Sequence, residues 1–214
     1  MNAQLKKSFT IAASAVIAAL SIGSAAAQNK VKADKPMFDD LQSPEFSGGK
    51  QKGFRPKNWL EIETQLKVSM KPEPKTKTCD KLTIKWYIAV KNTEKAASIL
   101  LFTKDVEYVN VPLDEEMWFS VYLSPASIKR LTGSDRAAKS AVEAVGYEVY
   151  INGEKLAEET TKWQVQWWNA DPTKKASLEI SRSDVVPLLI KPQTPFSNMW
   201  WDRYAEVNEA TSSR

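Results

Sequence analysis

Apolar and polar residues alternate along much of the chain, and the alternation has the period of extended backbone. Between Trp59 and Val68, the residues Leu60, Ile62, Leu66 and Val68 fall on one side, with Glu61, Glu63, Gln65 and Lys67 on the other. This is the pattern of a half-buried strand. Lys81 to Asn92 repeats it more regularly, with Leu82, Ile84, Trp86, Ile88 and Val90 on one face. Ile99 to Phe102 is a continuous apolar run, short enough for a strand covered on both faces, and the pairing zone extends toward Tyr108. Met117 to Leu123 sets Phe119, Val121 and Leu123 against Trp118 and Tyr122.

Punctuation residues separate these runs. Ser124-Pro125 is an N-cap followed by the first helical position, and predicts a short helix ending near Gly133. The Ala-rich stretch from Ser134 to Ala144 continues either as helix or as a crossing loop. Next comes Gly146-Tyr-Glu-Val-Tyr-Ile-Asn-Gly-Glu-Lys-Leu-Ala157, in which Asn152-Gly153 is the preferred pair for a two-residue type I′ turn. Folding there sets Tyr150 opposite Lys155 and Val149 opposite Leu156. Trp163-Gln-Val-Gln-Trp-Trp168 reads as a further strand after a bulge in Glu158 to Lys162. Ser177 to Ser181, with Leu178 and Ile180, predicts a last short strand. Ser197 to Val207 predicts a terminal helix with Trp200, Tyr204 and Val207 on one side.

Seven or so short strands joined by turns, with one or two short helices, predict an all-β fold: an antiparallel β-sandwich, immunoglobulin-like in the broad sense. The expected organisation is a signal peptide over residues 1–27, a flexible N-terminal arm over 28–57, the sandwich domain over 58–207 and a disordered tail over 208–214. The arm is polar and carries Pro36, Pro44 and Gly48-Gly49, with Met37, Phe38, Leu41 and Phe46 scattered in it. It is expected to tether the domain or to add a strand to a neighbour.

The leader reading rests on Lys6-Lys7, an uncharged apolar run from Phe9 to Ile22, and the small residues Ala25 and Ala27 framing a cut after Ala27. The alternative is a retained apolar helix. Lys7-Ser8-Phe9-Thr10 is similar to the processing site of a type IV pilin, although Ser8 stands where glycine is usual and Ala13 where a pilin carries glutamate. Removal of Lys6 and Lys7 with the leader lowers the formal charge from +4 to +2. No later segment is long and apolar enough for a spanning helix, so the mature chain is expected to be exported to the periplasm, outer membrane or cell surface, without spanning a membrane. Its interspersed acids and bases give no footprint for nucleic acid.

Composition narrows the chemistry. There is no histidine, one cysteine and seven glycines. These counts remove Ser-His-Asp and Cys-His pairs, histidine-ligated zinc, thiolate metal sites and glycine-rich phosphate loops. Asp39-Asp40, Glu115-Glu116 and Glu158-Glu159 are adjacent carboxylates, and neighbours on a strand point to opposite faces. The expectation is a protein without catalytic residues, cofactor or metal. A two-carboxylate glycosidase would need acids brought together from distant strands.

The eight tryptophans are the positive feature. Trp86, Trp163 and Trp167 lie on alternating apolar faces and are expected in the core. Each doublet, Trp167-Trp168 and Trp200-Trp201, is expected to leave one ring outside. The candidate interaction surface is therefore Trp118, Tyr122, Trp168 and Trp201, whose rings would dock a protein, stack on a sugar, or be covered by the C-terminal segment. Cys79, in a Pro- and Lys-rich stretch, is expected as a free thiol at a loop or strand edge, or as an interchain disulfide partner.

Four blocks carry a family resemblance: Trp59-Leu-Glu-Ile-Glu-Thr-Gln-Leu-Lys-Val68, Asp80-Lys-Leu-Thr-Ile-Lys-Trp-Tyr-Ile-Ala-Val90, Trp163-Gln-Val-Gln-Trp-Trp168 and Pro195-Phe-Ser-Asn-Met-Trp-Trp-Asp-Arg-Tyr204. With the leader, they resemble a small family of exported proteins of Verrucomicrobia such as Akkermansia, encoded beside type IV pilus assembly genes. The resemblance implies an immunoglobulin-like sandwich with a role in pili or the outer envelope, and it brings no catalytic residues. The expected partners are envelope or pilus proteins and further copies of the chain. The alternative function is a module that binds carbohydrate, specifically mucin glycans.

Overall fold

The computed structural model describes residues 28–45, 53, 55–95, 98–134, 138–169 and 179–212. The expected signal peptide, Phe46 and Leu178 lie outside the described residues. The strands are β1 (Gln28–Ala33), β2 (Met37–Gln42), β3 (Asn58–Lys71), β4 (Thr78–Lys91), β5 (Ser98–Pro112), β6 (Glu116–Leu123), β7 (Val142–Ile151), β8 (Glu154–Thr160), β9 (Glu179–Arg182), β10 (Leu189–Ile190) and β11 (Glu206–Val207). The helices are α1 (Pro125–Thr132), α2 (Ala138–Ala141) and α3 (Glu209–Ser212).

The strands form two sheets. The first has the order β1-β3-β6-β10, with β2 also paired to β3; the second has the order β11-β5-β4-β7-β8, with β9 beside β5. Pairing is antiparallel except between β5 and β9. The fold is an all-β sandwich. Leu60, Ile62, Leu66 and Val68 of β3, with Phe119 and Val121 of β6, face Leu82, Ile84, Trp86 and Ile88 of β4 and Val145, Tyr147 and Val149 of β7 in one buried cluster. Alternation in the sequence thus marks the inner faces directly. No helix of the described residues is long and apolar enough to cross a membrane.

The local signals act as expected at two points. Ser124 Oγ accepts the Ser127 N–H at 3.1 Å, and Gly133 closes α1 in the left-handed region at φ 76°. Asn152 and Gly153 both have positive φ, 52° and 81°, as a type I′ turn requires. Tyr150 pairs with Lys155, but Val149 pairs with Ala157, not Leu156, because the register shifts between Val149 and Tyr150. Leu156 is the extra residue, a one-residue bulge in β8 opposite an unbroken β7.

The expected flexible arm is in part sheet. β1 pairs six residues with Ala33↔Leu66 to Gln28↔Lys71, and β2 pairs six with Met37↔Glu63 to Gln42↔Asn58. Both strands lie along the same edge of β3. Val31, Ala33 and Phe38 pack half-buried against the core, and Tyr147 donates its hydroxyl proton to the Asp34 carbonyl at 2.6 Å. Ladder bonds to a long neighbour satisfy the backbone of a polar segment, so little apolar surface is needed. The expected disordered tail is also ordered as far as Ser212, which is buried and accepts the Glu107 N–H through its hydroxyl at 3.0 Å.

Two expected elements take other forms. Trp163 to Trp168 is not a strand: Trp163 and Gln166 sit at φ 64° and 66°, and the run closes in a 3₁₀ turn, Trp167–Asn169. The expected terminal helix over 197–207 is a 3₁₀ turn at Trp201–Arg203 followed by β11. Cys79 lies within β4, 1% exposed, and its thiol donates to the Lys81 carbonyl at 3.4 Å. The thiol is free, as one of the two expectations had it, and it is buried in the strand with its pKa raised by that burial, which does not favour the other expectation, a bridge between two chains.

Candidate functional site

Each sheet carries an aromatic stack on its outer face, laid down by a connecting segment. On the second sheet, Tyr87 points outward from β4, since its neighbours Trp86 and Ile88 point in. Trp168 lies flat on it, ring centroids 4.5 Å apart and planes 7° apart. Trp167 meets Trp168 edge-on at 5.5 Å, and Trp163 meets Trp167 edge-on at 5.3 Å. Trp167 packs against Ala89, Ile99 and Ala144 and donates its indole N–H to Thr160 Oγ1 at 3.0 Å. The chain of rings leads outward from a buried base, Trp168 at 2%, to Trp163 and Val165, each 39% exposed.

On the first sheet, Tyr122 points outward from β6 opposite Glu61 of β3. Phe196 stacks on Tyr122 at 5.7 Å, Trp59 meets Phe196 edge-on at 5.9 Å, and Trp200 stacks on Phe196 at 6.5 Å. Here too the stack runs from buried rings to open ones: Trp200 is 45% exposed and its neighbour Trp201 67%.

A polar network fastens this C-terminal segment. Glu61 and Glu63, both on the outer face of β3, are bridged by the Tyr204 hydroxyl at 3.0 and 2.8 Å. Tyr122 donates to Glu61 at 2.8 Å, and Arg203 donates to both Glu63 oxygens at 3.0 and 3.1 Å. The Arg203 guanidinium lies 4.0 Å from the Trp118 ring centroid, a cation–π contact. Burial raises the Glu63 pKa above its usual value, with Tyr204 and Arg203 pulling it down. Lys191 is buried and donates to the carbonyls of Met199 at 2.5 Å and Ser197 at 3.3 Å. Burial lowers its pKa, against the charge of Glu61. Tyr122, Tyr204 and Arg203 together take up both Glu63 oxygens and Glu61 Oε1, which anchors the C-terminal segment to the first sheet.

The sequence-predicted surface residues therefore separate. Trp201 is open. Trp118 is half-buried beneath Arg203. Tyr122 and Trp168 are buried, so neither offers a ring to a partner, and Trp168 lies on the opposite sheet from the other three. Trp163, expected in the core, is open instead. Trp163 and Trp168 depart from strand parity because the run is not extended. Gly146 was the available signal: a Cβ built there would lie 2.2 Å from the Trp168 ring, and glycine inside a strand marks such a close approach. Among the described residues, no group of three or more Cys, Asp or Glu side chains is placed to hold a metal ion.

A protein-family model matches residues 23–211. A crystal structure of a protein from Akkermansia muciniphila is similar over 85% of this chain and 94% of that one, with 36% sequence identity and a TM-score of 0.77. The chain belongs to the family of that Akkermansia protein. The residues matched by the family model include both sheets and both aromatic stacks of this chain. No curated protein sequence matches the chain.

Proposed function

We propose that this protein is a non-catalytic interaction module of the bacterial cell envelope, associated with type IV pili, that joins its partners through aromatic patches on opposite faces. The observation that carries the reading is the pairing of two exposed ring groups with rigid bases: Trp163 with Val165 outside the second sheet, and Trp200 with Trp201 outside the first. Exposed tryptophans held by stacked neighbours lose little conformational entropy on docking, which is why such rings dominate interfaces. Two different patches on opposite faces suit head-to-tail contact between copies, an association that extends without closing. The resemblance to exported proteins encoded with pilus genes, and the Akkermansia relative, support the same setting.

Capture of tagged protein from an envelope extract of the source tests it. The reading predicts recovery of envelope or pilus proteins together with untagged copies, and loss of these on substituting Trp163 and Trp200 by Ala. Retention of no envelope protein would count against it.

A further inference from the structure

Where the C-terminal segment crosses from the first sheet to the second, it leaves a cavity of about 280 Å³. Its wall includes Lys191, Ser197, Trp201, Tyr204, Glu206 and Glu209. We propose that this cavity binds a neutral saccharide, one pyranose residue with its apolar face against Trp201. The proposal does not rest on the interaction reading above.

Three observations carry it. Trp201 is the most exposed large apolar residue among the described residues at 67%, yet it lines a cavity and stands 5.7 Å from the Lys191 ammonium. An indole so placed offers a flat apolar face to the C–H side of a sugar ring and an N–H at its edge. Lys191 is a buried cation in the wall, with two of its three N–H groups on the Met199 and Ser197 carbonyls. The third has no oxygen acceptor among the described residues, the ammonium otherwise facing the Tyr204 and Trp201 rings at 5.1 and 5.7 Å, and a sugar hydroxyl supplies one. Glu206 and Glu209 provide acceptors for hydroxyl protons, although Glu206 also takes a hydrogen bond from Asn110 at 3.1 Å. Sugar hydroxyls donate and accept at once, so a wall with both kinds of partner suits them.

Size and charge set the class. Ligand pockets for larger molecules run from about 300 to 1,000 Å³, so this cavity suits a single ring, with a longer glycan continuing into solvent. The two carboxylates oppose an acidic sugar, and the Lys191 charge is already engaged by two carbonyls.

The test is a tryptophan-fluorescence titration of the protein with neutral hexoses and N-acetylhexosamines, and with uronic acids in parallel. A saturable change with a neutral sugar in the millimolar range is expected. Trp201→Ala should weaken that binding at least about tenfold, which corresponds to about 1.4 kcal/mol, while Val185→Ala, at an exposed position that lines no part of the cavity, binds as before. Both residues are exposed, and circular dichroism confirms folding of each variant. A flat response to every sugar, binding unaffected by Trp201→Ala, or tighter binding of the uronic acids would overturn the proposal.

Discussion

The indole of Trp168 lies parallel to the phenol ring of Tyr87 at 4.5 Å, over a glycine whose Cβ would overlap it. This contact fixes the base of one aromatic patch, so the patch is as rigid as the sheet beneath it. Gly146→Ala should push Trp168 off Tyr87 and destabilise the protein by about 1–3 kcal/mol, the usual cost of overpacking. Trp168→Ala should cost about 3–5 kcal/mol. In the Trp168→Ala background the Gly146 substitution should become nearly neutral, since the clash is gone. Urea unfolding of the four proteins checks this, and additive effects would show that the two positions do not meet.

The N-terminal segment offers a second test. Deleting residues 28–42 removes both strands that pair along β3 and uncovers Val31, Ala33 and Phe38 contacts with the core. The loss should be several kcal/mol, a large part of the stability of a domain this size. A true tether would be removed at no cost, so an unchanged thermal midpoint would contradict the paired edge.

The Glu63 carboxyl gives a pH dependence with a definite sign. Its folded pKa is raised above the usual 4.5, chiefly by burial. The folded state then holds the proton more tightly than the unfolded chain. This group's contribution is present below about pH 4.5 and is lost as pH climbs through the folded pKa. The stability of the wild-type protein relative to Glu63→Gln should therefore fall as pH rises above about 4.5. Chemical unfolding across that range measures it, and a relative stability that rises with pH would reverse the assignment.

Cys79 should be inert in the folded protein. It is buried, its thiol is held on the Lys81 carbonyl, and burial reduces its thiolate fraction. A thiol-reactive chromogen should label it only in denaturant, and reducing agent should leave the association state unchanged. Rapid labelling of native protein would show β4 to be open at this point.

Much of the sandwich is legible in the sequence. β3 and β4 announce their inner faces by strict alternation, and the Asn152-Gly153 turn and the Ser124 and Gly133 caps depend only on local geometry. What escaped was set by distant partners. β1 and β2 are short, polar edge strands, held mainly by ladder bonds to β3. The Trp163–Trp168 run alternates like a strand, but its rings are gathered by Tyr87, Ala89 and Thr160 of other elements. The positive φ at Trp163 and Gln166 follows from that tertiary arrangement. The network of Glu61, Glu63, Arg203 and Tyr204 joins residues some 140 positions apart, beyond any periodic signal.

The most direct test of two complementary patches is sedimentation velocity of the chain beginning at Gln28, over a wide concentration range. The wild-type protein should form assemblies that grow with concentration. Trp163→Ala and Trp200→Ala should each be monomeric alone, because either change removes one half of every contact. Mixed together they retain one intact pair of patches and should give dimers and nothing larger. A wild-type chain that stays monomeric at the highest concentration, or variants whose mixture fails to associate, would contradict head-to-tail joining through these faces.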